Sequence, residues 1–413
     1  MARRVVVTGL GPVTSLGNGK GAFWEAMCTG RSGVRRVDDL IDLDGIDVLI
    51  GAPIADFDPT QFIEPRKARR LDRSSQFALA AAGIAIEDSK LDLTRIDLDR
   101  VGVVAGTGIG GMLTFEENFR ILAEKGPRRI SPFFVPRMMP NALAGEISIA
   151  FGLRGASFGV VSACASSAHA IGLSAELIRS GSEDCVLAGG AEAVMLRITF
   201  AGFAKIGAVS KRNDEPERAS RPFDLNRDGF VMGEGGGFLV LESLDHAQSR
   251  DAHIYGELAG FGMTADACHI TAPAEDGAGQ RRAMESAMKQ AGIGPEQVDY
   301  INAHGTSTPL NDPAETCAIK GALGNATAQR VKISSTKSQI GHLLGAAGGV
   351  EAIATLLAME HEFIPATLNY ETPDPACDLD YTPEPVSMPI RAALSNSFGF
   401  GGQNATLLFK KMD

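Results

Sequence analysis

Cys164 stands in Val161-Ser162-Ala163-Cys164-Ala165-Ser166-Ser167-Ala168-His169, a strand-like end followed by a run of small residues. A cysteine at a helix start meets unpaired backbone N–H groups and the positive end of the helix dipole. The sequence therefore predicts a stabilised thiolate with a lowered pKa. Small neighbours leave room for a carbonyl to reach the sulfur. By residue type alone a buried structural thiol is the commoner outcome, and the nucleophile is the alternative that this segment supports.

Two further turns carry groups that could act with it. Asn302-Ala303-His304-Gly305-Thr306-Ser307-Thr308-Pro309 follows a strand and puts His304 among glycine and hydroxyl residues. Ser334-Ser335-Thr336-Lys337-Ser338-Gln339-Ile340-Gly341-His342 offers a lysine and a second histidine. Each histidine alone fits a core or surface role. One Cys and two His on three turns that leave strands fit a catalytic constellation better. Asn396-Ser397-Phe398-Gly399-Phe400-Gly401-Gly402-Gln403-Asn404 reads as a tight loop with core aromatics. Such a loop can also bring a backbone N–H to an oxyanion while Phe400 gates a hydrophobic channel.

The elements that must hold these turns alternate. Val5–Thr8, Val101–Ala105, Gly159–Ser162, Cys185–Gly189 and Phe238–Glu242 read as buried strands, and Phe77–Asp88 and Ala165–Arg179 as helices between them. A second series starts near Ile254, with strands at Tyr300–Ala303, Val331–Ser334 and Ala392–Ser395. Its helices are Gln280–Ala291, Ala314–Ala322 and Gly345–Glu360. This is an α/β chain with helix-covered sheets, in two halves, 1–253 and 254–413. At an offset of 173, Ser162-Ala163-Cys164 meets Ser335-Thr336-Lys337, His169 meets His342 and Gly172 meets Gly345. That register suggests a duplication.

Composition excludes other classes. A chain of 413 residues with 44% apolar and 22% charged residues has enough for a large core and is not disordered. A formal charge of −11 disfavours generic binding to nucleic acid or an anionic membrane. With 48 Gly, the backbone is expected to make close approaches. The 6 Cys include no CxxC pair, which argues against zinc, a redox dithiol or a disulfide framework and fits a reducing, cytoplasmic setting. No apolar run is long enough to span a bilayer. Gly106-Thr107-Gly108-Ile109-Gly110-Gly111 lacks the Gly-Lys-Ser/Thr ending of a nucleotide loop, and Thr8-Gly9-Leu10-Gly11 lacks the third dinucleotide glycine. Asp224-x-Asn226-x-Asp228-Gly229 has Gly235 where a calcium loop needs Glu.

Cys164 in its turn, His304-Gly305-Thr306-Ser307-Thr308, Lys337 with Gly341-His342, and Gly399-Phe400-Gly401-Gly402 resemble the elongating β-ketoacyl-[acyl-carrier-protein] synthases, type II, of the thiolase superfamily. The resemblance runs from Val5-Val6-Val7-Thr8-Gly9 through Arg221-Pro222-Phe223-Asp224 and Asp228–Gly235 to the C-terminal loop. It implies a thiolase-like fold, two duplicated halves in a five-layer α-β-α-β-α sandwich, and a homodimer. The implied reaction is a decarboxylative Claisen condensation of fatty-acid elongation, between a malonyl group on carrier protein and an acyl chain on Cys164. The resemblance gives His304 and His342 to the enolate, Lys337 to the electrostatic arrangement, and the N–H groups of Cys164 and Phe400 to the oxyanion. It gives Thr306 and Thr308 to the pantetheine arm, Ile109 and Phe203 to the acyl pocket, and Phe398 to substrate binding. Phe134 or Phe133 would enter that pocket from a second subunit, and Phe230 would border the malonyl side.

Carrier docking is expected at Arg66, Lys67, Arg69 and Arg70, with Arg128, Arg129 and Lys205 as additions. No organic cofactor is implied. The resemblance also implies a structural monovalent cation near Asn302, Glu351, Ser395 and Asn396, the alternative being a Glu351 satisfied by backbone N–H groups. Departures from the family pattern are Lys337-Ser338-Gln339-Ile340-Gly341-His342, Gly401-Gly402-Gln403-Asn404 and Ser162. They leave room for a polyketide or aryl-polyene ketosynthase. A degradative thiolase should carry a second catalytic Cys in the Gly399–Gly402 loop, and a non-catalytic chain-length partner should lack the first.

Overall fold

The computed structural model describes residues 3–412. The first half contributes β1 (Val5–Thr14), β2 (Val101–Gly106), β3 (Ser157–Val160), β4 (Cys185–Glu192) and β5 (Gly235–Ser243). The second contributes β6 (Gly256–Ala265), β7 (Tyr300–Asn302), β8 (Lys332–Ser334), β9 (Ala392–Gly399) and β10 (Gln403–Lys410). In space they run β8-β7-β9-β10-β6-β1-β5-β4-β2-β3, so the order within one half repeats in the other. In each half three strands are parallel, and the two towards the centre are antiparallel to their neighbours. The halves meet edge to edge through β1 and β6, with Val6 opposite Glu257 and Val7 opposite Gly256.

The helices that matter here are α1 (Arg73–Ser89), α2 (Met112–Lys125), α3 (Phe134–Met138), α4 (Ala142–Phe151) and α5 (Ser166–Arg179) in the first half. The first half also has α6 (Arg197–Ile206), which precedes β5 in the chain; the second half has α7 (Ala278–Ala291), α8 (Asn311–Leu323), α9 (Lys337–Ile340) and α10 (Ala347–His361). Strand alternation sorts them into layers. Val186, Ala188, Leu239 and Leu241 face a core shared with α5, α10 and the inner faces of β9 and β10. Cys185, Leu187, Phe238 and Val240 face outward against α1 and α4. Ile301, Ile333, Leu394 and Leu408 do the same against α7 and α8. The result is helix, sheet, helix, sheet, helix, the five layers expected.

Small residues set how closely these layers sit. A Cβ on Gly9 or Gly11 of β1 would lie 2.2 Å from the Ala85 carbonyl oxygen or 1.9 Å from that of Ala81. In the other half Gly260 and Gly262 of β6 would meet the carbonyls of Ala287 and Ala283 at 2.1 and 1.9 Å. The same glycine pair thus admits the same alanine face of a helix in both halves, which accounts for part of the glycine and alanine excess.

Three expectations need correction. The glycine-rich 396–404 segment is a hairpin, β9 and β10 pairing from Ala392 opposite Lys410 to Gly399 opposite Gln403, so only its tip is a loop. β3 starts at Ser157 and ends at Val160, earlier than expected. The 173 register fails at the turns themselves. The 3-10 turn Ala163–Ala165 before α5 has its counterpart in Leu344–Ala346 before α10, and Ala163 (φ 49) matches Leu344 (φ 48). An inserted stretch between β8 and that turn carries Lys337 and His342 and breaks the constant offset. The junction sought at 253/254 lies in the segment joining β5 to β6.

Candidate active site

Cys164 sits at a strained elbow. β3 ends, Ala163 takes left-handed backbone, and the chain enters α5. A non-glycine residue there costs of order 1 kcal/mol, and a sharp strand-to-helix turn is one way to push a side chain above a sheet. Ser166 braces the turn, its hydroxyl accepting from the Ser162 N–H at 2.9 Å and donating to the Ala163 carbonyl at 2.6 Å. Cys164 is only 8% exposed and faces a cavity of about 460 Å³. Its titration differs from the expectation. Burial pushes the thiol up to about 12, with the Lys337 charge and the Phe400 N–H pulling the other way. Desolvation outweighs the local positive groups, so the resting sulfur is a thiol rather than a thiolate.

His304 and His342 line the same cavity, their ring centroids 5.3 Å apart and the rings nearly perpendicular at 84°. Their tautomers follow from their partners. The Leu344 backbone N–H donates to Nδ1 of His342 at 3.2 Å, and Nε2 of that ring is buried without a partner. Lys337 Nζ lies 3.4 Å from Nδ1 of His304. Each Nδ1 is an acceptor, so each Nε2 carries the proton. Burial, then the positive charge of Lys337, holds both rings well below the usual histidine pKa, and His342 adds to the effect on His304. Both are neutral donors at pH 7.

The backbone around them is fixed from several sides. His342 N–H donates to the Val231 carbonyl at 2.7 Å, and the His342 carbonyl accepts from the Gly233 N–H at 2.9 Å. Lys337 is buried and ion-paired to Glu351 of α10. Glu351 thus has a side-chain partner, neither a backbone cradle nor no partner at all.

Two buried carboxylates escaped sequence reasoning. Glu315 of α8 accepts from the backbone N–H groups of His304 and Gly305, both at 2.8 Å, and fixes the turn after β7. Glu192, the last residue of β4, accepts from Gly108 N–H at 2.6 Å, Ile109 N–H at 3.3 Å, Gly345 N–H at 3.0 Å and the Thr107 hydroxyl at 2.8 Å. It ties the loop after β2 to the second elbow, next to His342. Burial raises both to about 7 against these hydrogen bonds. Glu192 ends an apolar run, a sign visible in the sequence, whereas Glu315 stands among polar residues and gives none.

The tip of the β9–β10 hairpin closes over the sulfur. A Cβ on Gly399 would lie 2.8 Å from the Ser162 carbonyl oxygen and 3.1 Å from the Cys164 nitrogen, so only glycine lets the two backbones meet. Ile109, Phe203, Phe230, Thr306, Thr308, Phe398 and Phe400 all line the cavity. Phe230 stands edge-on to both Phe203 and His342, at 5.4 and 5.3 Å. Phe134 does not reach the cavity of its own chain; it packs against Phe115, 6.4 Å away. Phe133 lies under the Arg70 guanidinium at 5.6 Å.

Arg66, Arg69, Arg70, Arg128, Arg129 and Lys205 are exposed and make no ion pair among the described residues. Lys67 pairs with Glu146 at 3.1 Å. Lys205 is next to Ile206, on the cavity rim. No helix of the described residues is long and apolar enough to cross a membrane.

Residues 2–247 match the family model "Beta-ketoacyl synthase, N-terminal domain" and residues 255–371 match "Beta-ketoacyl synthase, C-terminal domain". A 3-oxoacyl-[acyl-carrier-protein] synthase 2 from Synechocystis sp. is 49% identical over 410 residues, covering 99% of this chain and 98% of the relative. The protein of the same name from Staphylococcus aureus is 46% identical, covering 100% and 99%. Among solved structures, a beta-ketoacyl synthase from Burkholderia phymatum superposes with a TM-score of 0.93 at 36% identity, each chain covered in full. So does a type II polyketide ketosynthase in complex with its acyl-carrier protein and bound to the hexaketide, with the same TM-score, identity and coverage.

Proposed function

The chain belongs to the beta-ketoacyl synthase family, and from that premise we propose that it is a 3-oxoacyl-[acyl-carrier-protein] synthase, an acyltransferase of fatty-acid elongation that works through Cys164. The observation that carries the mechanism is one cavity lined by a thiol on a strained elbow and by two neutral imidazoles. The sulfur attacks the acyl thioester carbonyl, the C–S bond to the carrier arm breaks, and the thiol proton ends on the departing sulfur. A malonyl thioester then loses CO2, and the electron pair of the broken C–C bond moves onto the thioester oxygen. The Nε2–H groups of His304 and His342 stabilise that enolate. Its carbon attacks the acyl-Cys164 carbonyl, with the N–H groups of Cys164 and Phe400 receiving the tetrahedral oxyanion. The 3-oxoacyl thioester leaves, and the sulfur recovers a proton from solvent. Lys337 keeps both rings neutral and lowers the cost of charge on sulfur.

The partner is acyl carrier protein, an acidic molecule for which the unpaired Arg66, Arg69, Arg70, Arg128, Arg129 and Lys205 supply a basic face on a chain of charge −11. The assembly is a homodimer. β3 is an open sheet edge that carries exposed Phe158 (37%), with exposed Val161 (54%) just after it, and an edge strand pairs with its own copy about a two-fold axis. Phe134 would then reach the cavity only from the second copy. A monovalent cation suits the buried Asn302 Oδ1, Ser395 Oγ and Glu351 Oε2, which have no hydrogen-bond partner of ordinary geometry. The Asn396 side chain is already used by Glu315 and Thr406, so at most its carbonyl would contribute. Bound there, the ion would neutralise the Glu351 oxygen that Lys337 leaves free. Six cysteines, none in a disulfide, suit the cytoplasm.

The test is condensation with malonyl-carrier, offering saturated and polyketide acyl-carriers in parallel. Elongation of saturated chains supports the reading; turnover of polyketide chains alone replaces it with a specialised ketosynthase.

A further inference from the structure

Gln280, in the first turn of α7, is 1% exposed, and neither its Oε1 nor its Nε2 has a hydrogen-bond partner. A carboxamide buried with both ends unpaired is costly, and such groups in a folded chain call for an occupant. Gln280 also lines the cavity that holds Cys164.

Its polar neighbours are committed elsewhere. A Cβ on Gly279 would lie 1.9 Å from Asp266 Oδ1 and 2.7 Å from Asn404 Nδ2, so the start of α7 is pressed against both residues. Asn404 donates to Asp266 at 2.7 Å, and the other Asp266 oxygen accepts from the Ala274 N–H at 3.2 Å. Thr306 and Thr308 bond each other at 2.9 Å, and Asn311 donates to Asp312 and Glu315. Neither end of the Gln280 carboxamide is paired with any of these groups.

The cavity wall has two characters. Ile109, Phe203, Ile206 and Phe230 offer a hydrocarbon chain an apolar surface, whereas Thr271, Thr308, Asn404 and Gln280 offer polar groups. An acyl chain laid against Gln280 would leave the carboxamide unpaired. A secondary amide presents one N–H and one C=O, the complement of what Gln280 lacks.

We propose that Gln280 is a subsite for an amide of the pantetheine arm, its Nε2 donating to an amide carbonyl and its Oε1 accepting from an amide N–H. This rests on the reading that substrates arrive as pantetheine thioesters. Gln280 lies outside the motifs that carry the family resemblance.

The experiment compares two octanoyl donors, octanoyl-S-pantetheine and an alkyl thioester of octanoate without amides. Cys164 acylation is followed by intact mass at subsaturating donor. Gln280→Met keeps the volume and removes both polar atoms; Gln280→Ala is the second variant, and thermal melts establish that each is folded. The expected result is that the pantetheine-to-alkyl rate ratio falls about 5- to 10-fold in Gln280→Met. An unchanged ratio in both variants overturns the subsite, whether both donors slow equally or neither does. If the unsubstituted chain is acylated by neither pantetheine nor carrier thioesters, the underlying functional reading has failed instead, a distinct outcome.

Discussion

The backbone N–H of Leu344 reaches Nδ1 of His342 at 3.2 Å, and that bond turns the protonated Nε2 towards the cavity. Leu344 is the second-half counterpart of Ala163, with nearly the same left-handed backbone. One strained turn, used twice, therefore lifts a sulfur in the first half and aims an imidazole in the second. Glu192 joins the two by accepting from Gly345 on one side and from the Ile109 loop on the other.

His342→Ala removes one enolate donor without touching the sulfur. Malonyl decarboxylation should fall ~10²- to 10³-fold, as when one such donor is lost elsewhere. The acyl adduct on Cys164 should still form. Released CO2 and intact mass, measured on the same variant, separate the two steps.

Because burial and Lys337 hold both histidines well below the usual 6.5, acidification through pH 6.5 should leave them neutral. Protonation would come only at lower pH, where the Nδ1 of His342 would lose its bond from Leu344. Nitrogen-15 spectra of labelled histidine should keep two Nε2–H tautomers at pH 6. Their conversion to imidazolium near 6.5 would refute the arrangement.

The thiol pushed up to about 12 should make alkylation of Cys164 by iodoacetamide rise with pH past 9 without a plateau. Removing the opposing charge in Lys337→Met should slow the reaction several-fold further at pH 8. An inflection near pH 7 in the unsubstituted chain would mean a resting thiolate.

Glu315 gives a stability signature with a defined sign. Its carboxyl rises from 4.5 to about 7 on folding, so between those values the folded chain holds a proton that the unfolded chain releases. That group lowers stability by about 3 kcal/mol as pH rises through the window, and has no further effect above it. Glu315→Gln should be less stable throughout, since one amide oxygen cannot serve both His304 and Gly305 N–H groups. It should also lose that part of the pH slope. Urea unfolding at pH 5 and pH 7 measures both effects, and an undiminished slope contradicts the assignment.

The exposed arginines predict a selective salt effect. Between low and physiological ionic strength, kcat/KM for carrier-bound substrate should fall steeply, while that for a pantetheine mimic should hardly change. Equal dependence for both would remove the docking face.

What was legible in the sequence was whatever kept its type and spacing locally. Cys164, His304, Lys337 and His342 each sit on a short motif, and the repeated strand and helix runs gave the layers. Glu192 was not legible because its backbone N–H partners, at Gly108, Ile109 and Gly345, are far away in the chain and only the fold brings them near. Glu315 was not legible because its partners, the N–H groups of His304 and Gly305, leave no side-chain signature although they are close in the chain. Gln280 looked like one more polar residue at a helix start. The glycines of 399–402 concealed a hairpin, because a close approach to Cys164 and a flexible loop call for the same residue. The helix start at Cys164 suggested a thiolate, but the depth of burial that reverses the balance has no local sequence signature.

The account depends most on the sulfur of Cys164 taking the acyl chain. Intact-mass measurement after incubation with acyl-carrier, before malonyl-carrier is added, tests it directly. A single added acyl mass is predicted, mapping to residue 164, absent from Cys164→Ala and discharged when malonyl-carrier follows. An adduct that persists in Cys164→Ala, or none in the unsubstituted chain, would contradict it.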